Sequence, residues 1–134
     1  VNTVAQIATL VSVVAYLGAA PLEMFLIDKP FARRFLHVEA DNISDIRMWG
    51  FVVGFRNALA GIGGLTGLIM VWNGHATAGR AVVLTVLSYM VLASLAMGVA
   101  DLLGYWKPRG GSVIGTIGSS VPPLIAIVAM LGWD

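Results

Sequence analysis

Four long apolar runs, separated by short polar interruptions, decide what this chain can fold into. They extend from about Val4 to Ile27, Ile46 to Trp72, Arg80 to Gly104 and Ser112 to Leu131. Each reaches the roughly 20 residues that a helix needs to cross a bilayer. No water is available there to backbone N–H and C=O groups, so a spanning segment must bond to itself, as an α-helix does. The expected fold is therefore all-α, a single integral membrane four-helix bundle over residues 1–134. Only 11% of the residues are charged, against roughly 25% in soluble domains, which leaves too little polar surface to cover the chain in water.

The interruptions carry their own signals. Asp28-Lys29-Pro30 stops the first run, which already contains Pro21 and Glu23. Within the sizeable connection from Pro30 to Arg47, Phe31, Phe35 and Leu36 share one side of a short helix and Arg33 and Arg34 lie elsewhere on it. That pattern suits an amphipathic segment at the membrane interface. Asn42 followed by Asp45 resembles a helix N-cap for the second span. Asn73-Gly74-His75 marks a tight turn. Tyr105-Trp106-Lys107-Pro108 reads as an interfacial anchor, with a loop at Gly110-Gly111 after it. Pro122-Pro123 is expected to kink the last helix. Trp49, Trp72, Trp106 and Trp133 stand near span ends, as an aromatic belt would place them.

Counting Lys and Arg orients the bundle. The first and third connections hold Lys29, Arg33, Arg34, Arg47, Lys107 and Arg109, and the other side holds Arg80 alone. Both termini are expected outside, with the large connection in the cytoplasm of a bacterial inner membrane. Val1 stands where Met is usual, and a processed terminus or an alternative start codon would each account for it. No signal peptide is expected, because no basic segment precedes a first run that is itself long enough to span.

Several classes are excluded. A net charge of +1 and the lack of a long basic run argue against nucleic acid. The chain has no cysteine, so disulfides and thiolate metal sites are ruled out. His37 and His75 fall in opposite connections and cannot share a metal. No phosphate loop, nucleophile elbow or zinc signature is present, and no cofactor is expected.

Helices in lipid associate by close packing and polar links, because the surroundings are as apolar as they are. Gly50, Gly54, Asn57, Gly61 and Gly64 recur every three or four residues and form one small-residue stripe on the second span. Ala96, Ala100 and Gly104 suggest the same device on the third span, and Gly111, Gly115 and Ser119 on the fourth. Such stripes serve packing, or line a cavity for a flat lipophilic ligand.

Charged groups inside a span cost about 2.5–3.5 kcal/mol each on insertion scales and by default suggest function. Glu23, Arg56 and Asp101 fall in the cytoplasmic half, with Asn57 beside Arg56. A mutual ion-pair network is expected, acting as a structural clamp or as a catalytic or proton-handling site. An acid left without Arg56 as partner would be a neutral carboxylic acid able to protonate an alkene or an epoxide.

Leu22-Glu23-Met24-Phe25 at the end of the first span, a proline-containing basic segment, and Gly54-Phe55-Arg56-Asn57-Ala58-Leu59-Ala60-Gly61 in the second together carry a resemblance. They resemble the small bacterial four-helix membrane family catalogued as domain of unknown function 1304. The resemblance covers most of the chain, matches the family at Glu23 and Asn57, and implies architecture alone. Arg56 departs from a position often aromatic in that family, and the third connection is longer. A partial likeness to small multidrug exporters rests on Tyr16-Leu17 and Glu23, although Glu23 stands near a helix end and not at mid-membrane.

Three functions remain open. The chain could be a non-enzymatic subunit or scaffold of a larger membrane assembly or homo-oligomer. It could be an enzyme on a lipophilic, prenyl- or terpenoid-like substrate, a cyclase or isomerase working by acid-initiated cyclisation or epoxide opening, with Glu23, Asp101, Arg56 and Asn57 as its site. Or it could be a proton-coupled small-molecule exporter.

Overall fold

Local chemistry sets where each helix begins and ends. The computed structural model describes residues 1–39 and 41–133, Trp133 by its backbone alone. Helix α1 spans Thr3–Met24, α2 Pro30–Leu36, α3 Ile43–Trp72, α4 Ala76–Leu102 and α5 Val113–Trp133. Asn2 caps α1, its side chain accepting from the Ala5 amide at 2.8 Å. Asn42 caps α3 as its spacing predicted, accepting from Ser44 N–H at 3.1 Å. Three helices stop in the same way, with a left-handed residue just past the end: His37 after α2, Gly74 after α3 and Gly104 after α4. In each, the next amide bonds back five residues, as in Tyr105 N–H to Ala100 O at 2.9 Å. This closure satisfies carbonyls that the helix end would leave open.

All four long helices are apolar enough to span a membrane, and the described residues contain no strand. They pack in a ring, α1 on α3, α3 on α4, α4 on α5 and α5 back on α1. The chain runs up, down, up, down. At the loop end, the α1–α3 and α4–α5 connections meet. Glu39 N–H donates to Lys107 O at 2.7 Å, Trp106 Nε1 donates to His37 O at 2.9 Å, and Lys107 pairs with Asp41 at 3.1 Å. Trp106 thus fastens two connections together. The side chain of Trp133 lies outside the described residues. At the other end, Trp72 Nε1 donates to Gln6 Oε1 at 2.8 Å, and Arg80 and Asn2 donate to the last carbonyls of α5, Met130 O and Ala129 O, each at 2.9 Å.

The glycine stripe of α3 is filled by α1. A Cβ at Gly50 would come within 2.7 Å of Glu23 O, at Gly54 within 2.8 Å of Ala20 O, at Gly61 within 2.6 Å of Leu17 and at Gly64 within 3.0 Å of Val13. Rising numbers on α3 meet falling numbers on α1, as antiparallel neighbours require. Packing is therefore the use made of this stripe, and no ligand cavity runs along it. On α4 the expected stripe is displaced: Ala96 is exposed, and Gly104 lies past the helix end. The inward residues are Met90, Ser94 and Asp101. Pro21, Pro122 and Pro123 all lie inside continuous helices.

Polarity is partly inverted relative to a soluble bundle. Leu68, Val83, Leu87, Met90 and Met130 are fully buried, but so are Thr9, Ser12 and Ser94, whereas Val14, Leu92, Ile114 and Leu131 lie outside. That distribution suits a multi-pass membrane protein. Thr9 and Ser12 hydroxyls satisfy themselves on the carbonyls of Ala5 and Ala8, the usual solution for Ser and Thr inside helices.

Candidate functional site

Depth can be read from helix rise. Taking the Trp72–Gln6 contact as one boundary, Glu23 lies about 25 Å along α1 and Arg56 about 24 Å along α3, at roughly 1.5 Å per residue. Both fall just inside the far edge of a hydrocarbon layer roughly 30 Å thick. Asp101 lies about 37 Å from the start of α4, beyond that edge. Glu23 and Arg56 share a level, and Asp101 does not.

Asn57 Nδ2 donates to Glu23 Oε1 at 2.6 Å. The glycines at 50 and 54 bring α1 close enough for these two short side chains to meet. Both are half-buried. This pair is the polar link between α1 and α3 at the loop-end level.

The expected network of Glu23, Arg56 and Asp101 does not form. Successive residues on a helix turn by about 100°, so placing Asn57 against α1 turns Arg56 outward. Arg56 is exposed and has no ion pair among the described residues. With Phe51, Val52 and Phe55 it lines a shallow groove on the outer surface. Phe25 meets Phe51 edge-on at 6.1 Å, and Phe51 stacks on Phe55 at 6.5 Å.

Asp101 has a different task. Its Oδ1 accepts from Gly110 N–H at 2.8 Å, and its Oδ2 from Ser112 N–H at 3.1 Å and Ser112 Oγ at 2.5 Å. A carboxylate in the last turn of α4 thereby holds the start of α5, where its charge also suits the positive end of the helix dipole. All three contacts are internal, and Asp101 is a structural clamp within the α4–α5 connection.

Tyr16, which sequence reasoning used only for a likeness to exporters, is a polar centre of the packed bundle. Its hydroxyl lies 2.9 Å from Met90 O, 2.7 Å from Ser94 Oγ and 3.5 Å from Ser119 O. The Ser119 carbonyl has no helical partner, because the residue four later is Pro123, which lacks an N–H. The available signal was a tyrosine in the middle of an apolar run while the tryptophans stand at run ends. Among the described residues, no group of His, Asp and Glu side chains could hold a metal ion. A second shallow outer groove runs along Ala81, Val82, Thr85 and Val86 of α4, and neither groove is lined by Glu23, Asn57 or Asp101.

Comparison with known proteins identifies a family. The family model described as "Protein of unknown function (DUF1304)" matches residues 10–131. No curated protein and no solved structure matches the chain.

Proposed function

The chain belongs to the DUF1304 family of proteins of unknown function, and from that premise we propose that it serves as a non-catalytic membrane subunit. In this reading a tightly packed four-helix module offers its outer helical faces to a larger assembly. One observation carries it: the interior is occupied by side chains at Leu68, Val83, Leu87, Met90 and Met130, with Glu23, Asn57 and Asp101 used as fasteners. A catalytic pocket of the usual several hundred Å3, with acids on its wall, is not what Asp101 or Arg56 faces. The outer face of α4 supplies a continuous apolar ridge, Tyr89, Leu92, Leu95, Val99 and Leu102.

In the cell the assembly would sit in a bacterial inner membrane. Both termini would face outward and the basic connections the cytoplasm, since Lys29, Arg33, Arg34, Arg47, Lys107 and Arg109 gather at one end. A photo-reactive side chain at Leu92, activated in native membranes, is expected to give a discrete adduct with a second polypeptide. Adducts with lipid alone would overturn the subunit reading.

Glu23 supports one alternative, acid chemistry on a lipophilic prenyl-like substrate, because a half-buried carboxyl at the edge of the hydrocarbon layer is reachable from lipid. That reading requires Glu23→Gln to abolish a conversion while the protein stays folded.

A further inference from the structure

Of the three charges that the sequence places inside the spans, Arg56 is the one without a partner among the described residues. It lies inside the hydrocarbon edge by the depth argument above, yet neither Glu23 nor Asp101 pairs with it, the first being taken by Asn57 and the second by Ser112 and Gly110. A guanidinium at that level needs an anion, and the side chain can reach one or two turns toward the head-group layer. Its surroundings supply the other half of a binding site. Trp49, Val52, Arg56 and Leu59 follow one another at helical spacing along the outer face of α3, and Phe51 and Phe55 wall one side of the groove around Arg56. Trp49 is 62% exposed and stands about two turns nearer the loop end, at head-group depth.

We infer that this face of α3 holds one anionic phospholipid of the loop-end leaflet, its phosphate on Arg56 and an acyl chain running down past Leu59. Charge complementarity selects the class. A zwitterionic lipid also carries a phosphate, but its choline cation offsets the attraction that Arg56 offers. The aromatic wall and Leu59 accept the chain, and Trp49 borders the head group. The site is independent of the subunit reading and needs no partner protein.

Trp49 also reports on the site. The protein is reconstituted with dibrominated phosphatidylglycerol or dibrominated phosphatidylcholine in an unbrominated phosphatidylcholine background, and the Trp49 signal is taken as the difference from Trp49→Phe. The expected result is an about fivefold preference for the anionic lipid at this position, the size that one basic residue near a membrane surface confers. Arg56→Gln should bring the preference close to one, Arg56→Lys should keep most of it, and Arg47→Gln, on the opposite side of the same helix, should leave it unchanged. Equal quenching by both lipids in the wild-type protein overturns the inference, whether or not the neutral variant folds. So does a preference that falls as much in Arg47→Gln as in Arg56→Gln, because diffuse surface charge would then explain it.

Discussion

Tyr16 has one proton to give and three oxygens within reach, and each belongs to a helix other than its own. Its hydroxyl therefore ties α1 to α4 and leans toward the carbonyl that Pro123 leaves open on α5. Tyr16→Phe keeps the ring and deletes the tie, and is expected to cost about 1 kcal/mol, within the range measured for polar links between membrane helices. Unfolding by steric trapping in bicelles would measure it, and no loss at all would mean that the contact contributes nothing net. At Glu23 the fastener reading makes an ordered forecast. Glu23→Gln keeps an oxygen for Asn57, whereas Glu23→Ala leaves the Asn57 amide without its partner, so the alanine variant should be the less stable of the two in the same assay. For Asp101 the readout is local. Asp101→Asn replaces an oxygen that faces N–H donors by an NH2 group, and amide exchange at Gly110 and Ser112 should quicken while the middle of α4 remains protected. Unchanged exchange there would remove the clamp.

At the scale of helices, space decides. At Gly79 an added Cβ would stand 2.7 Å from both Gly67 O and Val71 N, which are backbone atoms and cannot turn aside. Gly79→Ala must push α3 and α4 apart, and overpacking of this kind costs about 1–3 kcal/mol. Gly18 provides the control, since nothing lies within 4 Å of the same added atom. Gly18→Ala should be neutral or stabilise by up to about 1 kcal/mol through helix propensity. Thermal melting of both variants in detergent checks the contrast, and equal effects would contradict the packing account. The α3 stripe was legible in sequence because five small residues at one spacing describe one face, whatever packs on it. On α4 the same reasoning chose Ala96, which is exposed, because alanine is small on either side of a helix and cannot mark a face by itself. The expected ion-pair network did not form for a related reason. Sequence gives depth along one helix but not rotation about it, so Arg56 looked like a neighbour of Glu23 while pointing away. Asp101 was misjudged because its carboxylate is taken up by Gly110 and Ser112 of the connection that follows its own helix.

For the molecule as a whole, the polar groups explain how four helices hold together where lipid and protein are equally apolar. Asn2 and Arg80 bind the end of α5, Glu23 and Asn57 join α1 to α3, Tyr16 crosses to α4, and Asp101 secures the start of α5. Among the described residues these groups are spent on holding helices together, which is why the proposed role rests on the outer surfaces. An exporter or an enzyme with a wet pocket would instead need solvent beside these side chains. Because the chain contains no cysteine, accessibility can be probed one position at a time with nothing to remove first. The decisive measurement is labelling of single cysteines at Leu87 and Met90 by a water-soluble maleimide in native membranes, with a cysteine at Phe35 as the exposed reference. The filled bundle predicts labelling at position 35 and none at 87 or 90 from either side. Labelling at 87 or 90 comparable to that at 35 would reveal a water path through the bundle and contradict the account.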